Sequence, residues 1–203
     1  MSTTTIGPDG KARCRWCDAA PEFFHYHDTE WGFPVGEDRR LFEKLCLESF
    51  QSGLSWRTIL AKRENFRAAF HHFDFNKMAT FDEGDIERLL QNEGIVRHRG
   101  KIEAVINNAR RAQELVKREG SLAAFLWSYE PEPSRLAEPQ TASTSAESVA
   151  LSKDLKKMGW KFVGPTTVYA FMQAMGLIND HVEGCVMREE VAKARSNFKR
   201  PGR

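Results

Sequence analysis

Apolar residues recur at helical spacing along most of the chain. Leu41, Leu45 and Glu48 step by four and then three, so they share one helix face. Glu37 and Asp38 suit the first turn of that helix, and Gln51-Ser52-Gly53 ends it. Leu54 and Trp56 follow. Ser55 or Thr58 opens the next helix, carrying Ile59, Leu60, Phe66 and Phe70. Phe81 to Asp85 begins another, with Ile86, Leu89 and Leu90, which stops at Asn92-Glu93-Gly94. A long stripe of Ile102, Val105, Ile106, Ala109 and Val116 runs to Gly120. Shorter stripes follow at Leu122, Phe125, Leu126 and Trp127, then at Leu151, Leu155 and Met158, then at Val168, Phe171, Met172 and Met175. No stretch alternates at the period of a strand and no segment repeats in register, so the pattern predicts an all-α chain. Residues 1 to 12 read as a flexible tail. Pro131 to Ser148 reads as an irregular surface connection, and 186 to 203 as a basic C-terminal tail.

Composition narrows the class. With 203 residues, the chain can bury a core as one domain or two small lobes. Its net charge of +2 does not describe a general polyanion sink, though a local basic face is compatible with it. No apolar run reaches the ~20 residues of a membrane span. The first residues lack an apolar signal core, so the expected compartment is cytoplasmic. Cys14, Cys17, Cys46 and Cys185 are too sparse for a disulfide framework and read as thiols or metal ligands.

Glu48 is the first candidate for chemistry. A carboxylate on an apolar helix face either has a partner or has a task. With Gln51-Ser52-Gly53, Leu54 and Trp56 beside it, it could floor a pocket for a flat polar molecule. A satisfied core glutamate fits the same spacing. Trp16, Phe23, Phe24, Tyr26 and Trp31 crowd one short stretch, as stacking surfaces or as an aromatic mini-core. Arg97-His98-Arg99 forms a basic loop between two helices, able to hold a phosphate or simply solvated. Gly164-Pro165-Thr166 precedes a helix whose first amides lack internal acceptors, a second place for a phosphate. It resembles the loop of a helix-hairpin-helix unit. His181 and Cys185, four apart, face one way and suit one tetrahedral metal. Cys14 and Cys17 have the spacing of a zinc knuckle, with His25 and His27 nearby.

Together the segments RCRWC, YHDTEWGFP, LFEKLCLESFQSGLSW, GIVRHRGKI, TSAESVALSKDLKK and KFVGPTTVYAFMQAMGLINDHVEGC resemble the bacterial 3-methyladenine DNA glycosylase I family, in the helix-hairpin-helix superfamily. The resemblance runs from about Arg13 to Cys185. It implies a single helical glycosylase domain over 13 to 185, with two lobes around a cleft for DNA and base. It puts Cys14, His27, His181 and Cys185 on the family's zinc ligands, a structural site with no open position, and leaves Cys17 outside. Glu48 falls on the base-recognition carboxylate. Trp16, Phe23, Tyr26, Trp31 and Trp56 fall on the base pocket, with Phe23 where tyrosine is usual. Gln51, Gly53 and Leu54 match the turn that fills the gap left by a flipped nucleotide, and Ser52 departs from it.

The implied activity is monofunctional hydrolysis of the N-glycosidic bond of 3-methyladenine in alkylated double-stranded DNA, releasing the free base. No lysine is expected at the active site to form a Schiff base, so strand cleavage is not expected. The expected protein is a monomer without membrane association. Two rivals remain: a non-catalytic, zinc-stapled DNA-binding or lesion-sensing module, and a zinc hydrolase. The second requires an open metal position, which four protein ligands deny.

Overall fold

A computed structural model describes residues 3 to 202. Among them are ten α-helices: α1 Glu22–Thr29, α2 Asp38–Gln51, α3 Trp56–Ala69, α4 Phe75–Met78, α5 Glu83–Leu90, α6 Arg99–Glu119, α7 Leu122–Trp127, α8 Ala146–Lys157, α9 Pro165–Ala174 and α10 Met187–Asn197. The helical stripes read from the sequence fall on these elements, with Phe70, Met158 and Met175 each one residue past the end of its helix. No described helix is long and apolar enough to cross a membrane.

α2 is the axis of the molecule. It touches α3, α6, α7 and α9, and from Leu41 to Phe50 only Glu43 escapes full burial. Both of its ends are tied down by side chains. Asp38 Oδ1 accepts from the Ala123 amide at 2.7 Å and from Ser121 Oγ at 2.9 Å, which joins its first turn to that of α7. At the other end, Lys101 of α6 reaches in and its ammonium donates to the carbonyls of Phe50, at 2.8 Å, and Ser52. The last carbonyls of a helix have no partner inside it, and a lysine supplies one.

The turn from α8 into α9 is pinned by buried polar side chains from three helices. Ser49 Oγ of α2 lies 3.0 Å from the Phe162 carbonyl, Ser152 Oγ of α8 donates to that of Val163 at 2.6 Å, and Asn108 of α6 bonds both amide and carbonyl of Lys161 at 2.9 Å. Each satisfies a backbone group that burial would otherwise leave unpaired.

Three expectations change. The stretch 1 to 12 is not a flexible tail over its described part. Thr4–Ile6 (β1) pairs antiparallel with Ala12–Cys14 (β2), Thr5 opposite Arg13. The Arg13 guanidinium clamps this hairpin by bridging Asp9, at 2.6 Å, and Asp28, at 2.8 Å. Three-residue strands carry no readable period. Nor are residues 186 to 202, the described part of the expected basic C-terminal tail, without structure. α10 buries Val191, Phe198 packs at a tilt against Trp127 with ring centroids 4.7 Å apart, and Arg195 and Arg200 both pair with Glu130 at 2.8 Å. The connection after Pro131 ends earlier than expected, because Ser145 and Ser148 close a capping box that starts α8.

Candidate active site

α1, α2, α3 and the turn before α1 converge on a cavity of about 330 Å³. Trp16, Phe23, Tyr26, Trp31 and Trp56 form its aromatic walls, and Glu48 and Gln51 present polar groups to it from the last turns of α2. The rings brace one another. Trp16 meets Phe23 and Trp31 edge-on at 5.6 and 5.2 Å, and Tyr26 lies 5.4 Å from Trp56. Glu48 is 6% exposed. A larger depression of about 840 Å³ lies between residues 133–139 and 179–195, but none of the predicted base-pocket side chains lines it.

Glu48 is not alone. Lys44, one turn earlier and 5% exposed, places Nζ 2.8 Å from Glu48 Oε1. The same ammonium donates to the Tyr26 hydroxyl at 2.8 Å and lies 3.3 Å from the Trp56 ring centroid. Burial pushes its pKa down, and the Glu48 charge opposes that shift. The sequence reading expected no lysine at the active site for Schiff-base chemistry, and it overlooked a lysine bonded to Glu48. Lys44 is there, behind Glu48, Tyr26 and Trp56 and not among the residues lining the cavity.

Behind Trp16 and Trp31 lies the cluster of Cys14, His27, His181 and Cys185. All four are buried, with ligand atoms within 4.8 Å of one another. His27 Nδ1 is 2.7 Å from Asp28 Oδ1, and His181 Nε2 is 3.0 Å from the Trp31 carbonyl. The remaining ring nitrogens, His27 Nε2 and His181 Nδ1, face each other at 3.1 Å. With both ring protons turned outward, two lone pairs and two thiols point at one spot, an arrangement that calls for a cation. Separations of 3.4 Å from Cys185 Sγ to each imidazole and 3.7 Å from Cys14 Sγ to His181 match the edges, roughly 3.3–3.8 Å, of a tetrahedron with zinc–nitrogen and zinc–sulfur bonds. The residues present fit a four-coordinate metal. Cys17, also buried, is outside the cluster, and desolvation pushes its thiol up to about 12.

The other predicted residues are exposed or partly exposed and do not line the cavity. Gly53, with φ +79°, turns the chain after α2, and Leu54 is 42% exposed at the tip. Gly164 precedes α9, Pro165 occupies its first turn, and no side chain caps its amides. Arg97 is exposed, with only a loose contact to Glu93 at 3.7 Å. Arg99 sits in the first turn of α6 and is held by Glu83, at 2.6 Å, and by Glu87. His98 caps the same helix through Nδ1, 3.2 Å from the Lys101 amide. Among the described residues, Arg99 of this loop is thus tied to two carboxylates and Arg97 more loosely to one.

A family model for methyladenine glycosylase matches residues 16 to 189. The chain belongs to the methyladenine glycosylase family. It is 49% identical over 177 residues to the DNA-3-methyladenine glycosylase 1 of Escherichia coli, covering 85% of this chain and 95% of that protein. It is 45% identical, again over 177 residues, to the DNA-3-methyladenine glycosylase of Haemophilus influenzae, covering 85% and 96%. A solved mutant of 3-methyladenine DNA glycosylase I in complex with 3-methyladenine superposes with a TM-score of 0.81 at 38% identity, over 87% of this chain and 97% of that one.

In this methyladenine glycosylase, sequence reasoning missed three residues of the site. Lys44 had a usable signal, its position four residues before Glu48 on the same stripe. Gln173 lines the cavity from α9. Gln140 comes from the irregular 131–144 segment, which carries no period to read. Its backbone, at φ +59°, is anchored by the Asp180 carboxylate at 3.1 Å, and the same carboxylate accepts from Gln173 at 2.6 Å. Desolvation pushes the Asp180 pKa up while these donors hold it down.

Proposed function

We propose that this protein is a DNA-3-methyladenine glycosylase. It hydrolyses the N-glycosidic bond of 3-methyladenine in alkylated duplex DNA and leaves an abasic site. The observation that carries this reading is Glu48: a buried carboxylate facing an aromatic cage of base-sized volume, beside the exposed Gly53-Leu54 turn.

N3-methylation gives the nucleotide a positive charge, so the base is already a good leaving group. Breakage of the bond from the sugar C1′ to the base leaves neutral 3-methyladenine and an oxocarbenium-like sugar. Water adds to that carbon and releases a proton. Selection and extraction are then the protein's work. Flipping costs a few kcal/mol, and Leu54 and Gln51 would occupy the vacated stack. In the pocket, Glu48 would accept hydrogen bonds from the adenine edge, and the faces of Trp16, Tyr26, Trp31 and Trp56 would stack better on a cation than on a neutral ring. Phe23 adds apolar wall without a hydroxyl. Since Lys44 is sealed behind the wall, the sugar C1′ has no amine to meet, and hydrolysis without strand cleavage remains the reading.

The α8–α9 turn would act as the hairpin of a helix-hairpin-helix unit, with the backbone N–H groups of Gly164 and Thr166, either side of the donorless Pro165, offering one phosphate site and Arg97 another. Zinc would be held by Cys14, His27, His181 and Cys185, and its contribution would be to tie the two segments together. The substrate places the protein with the chromosome, in the bacterial cytoplasm.

The test is release of free 3-methyladenine from methylated duplex DNA by the purified protein and its Glu48→Gln form. The substitution is expected to keep the fold and most DNA binding and to cost about 2 kcal/mol or more in excision, as loss of a charge-assisted bond in a dry site does. Wild-type excision by Glu48→Gln, with only a lowered melting temperature, would leave Glu48 a packing residue.

A further inference from the structure

The chemistry above gives Lys44 no task, yet its ammonium is held in place by three of the pocket's own side chains. It is bonded to Glu48 and Tyr26, each at 2.8 Å, and sits 3.3 Å from the Trp56 ring centroid. These are the groups that would face the base. A lysine buried to this degree is costly to keep charged, and nothing in helix packing asks for one at this position, whose stripe neighbours Leu41 and Leu45 are apolar.

Other charges face this spot, and they are already spent. Glu30, just past α1, and Arg63 of α3 bond to each other at 2.6 and 2.8 Å. Tyr26 stays a neutral phenol, because burial pushes its pKa well up. Among the described residues, Lys44 is therefore the cation within bonding distance of Glu48.

We infer that Lys44 is a positioning residue for base recognition: from behind the cavity wall it keeps Glu48 a carboxylate and locks that carboxylate, the Tyr26 hydroxyl and the Trp56 ring into one arrangement. A lone carboxyl in this aromatic surround would take up a proton as the pH falls, and would then lose both its charge and an acceptor. The internal ion pair keeps the acceptor ready. It also changes how the pocket selects. A pair bonded at 2.8 Å has no net charge, so a cationic base is held through directed hydrogen bonds and ring faces more than through bulk attraction.

This inference rests on the glycosylase reading, and its test separates the two. The glycosidic base in DNA is a fixed cation, so the pH dependence of single-turnover excision reports the protein alone. As the pH is lowered, Lys44→Met and Lys44→Gln should lose excision more steeply than the parent, up to about tenfold per unit. Lys44→Arg, which keeps the charge, should restore the parent's profile. Glu48 titration followed by carbon NMR in glutamate-labelled protein gives a second readout that needs no activity. In Lys44→Met and Lys44→Gln the carboxyl should protonate at higher pH than in the parent. A parent protein that releases no base defeats the glycosylase reading and leaves the NMR comparison to decide Lys44. An unmoved Glu48 titration, or an excision rate lowered equally at every pH, overturns the inference and makes Lys44 a packing residue. If Lys44→Met does not fold, Lys44→Gln carries the same comparison.

Discussion

Cys14 and Cys17 are the same side chain three positions apart, and their surroundings give them opposite chemistry. Cys14 meets His181 across 167 positions of sequence and shares a space with His27 and Cys185. Cys17 is buried without metal-ligating company and is held as a thiol. Cys17→Ser is therefore expected to keep about one zinc per chain, while Cys185→Ser loses it and several kcal/mol of stability with it, on the order seen when a metal site is removed. Metal analysis and denaturant melts of both proteins check this, and zinc loss from Cys17→Ser would exchange the two assignments. The spacing of His181 and Cys185 was legible because a helical turn fixes which way residues four apart point. The choice between Cys14 and Cys17 was not, since Cys14 precedes the 3-10 turn at Arg15–Ala19, Cys17 lies within it, and only the distant partner distinguishes them. Lys44 shows the opposite failure: its position was legible, but lysine is read by habit as facing water.

Between elements, the approach of α9 to the segment after α1 is the tightest joint. Gly176 ends α9 with φ +79°, and a Cβ there would stand 2.5 Å from the Pro34 nitrogen and 2.6 Å from the Phe33 carbonyl carbon. Gly53 has the same φ but open space around it. Both substitutions to alanine pay for the left-handed backbone, about 1 kcal/mol. Gly176→Ala also forces two backbones apart, and should cost about 3 kcal/mol or more in a urea melt. Equal losses at the two sites would mean the joint yields. The joint carries Trp31, because the Gly32 amide donates to Ala174 at 3.2 Å and that of Val35 to Met175 at 3.2 Å. Helices α2, α3, α5, α6 and α9 were legible from stripes of Leu, Ile, Val and Phe. β1, β2 and α10 were not: the strands are three residues long, and α10 buries one apolar residue, Val191, in eleven.

For the whole molecule, a net charge of +2 leaves DNA affinity to placement more than to quantity. Arg99 is paired with Glu83 and Glu87, and Arg195 and Arg200 share Glu130. Arg97 and the exposed Lys161 remain near the proposed phosphate sites. The dependence of log affinity on log salt should have a shallow slope, on the order of −2, and Arg97→Ala should make it shallower while Arg99→Ala leaves it nearly unchanged. A steep slope, or one governed by Arg99, would place the DNA elsewhere. One further property of the whole follows from where the chain crosses itself. The pocket walls Trp16, Phe23, Tyr26 and Trp31 sit on a segment that leans on the far end of the chain, where the Val186 amide donates to the Ala12 carbonyl at 2.9 Å. A ribosome makes that first segment more than a hundred residues before its support, since Val186 follows Trp31 by 155 positions. Until Val186 has been made, the aromatic wall therefore stands without that support.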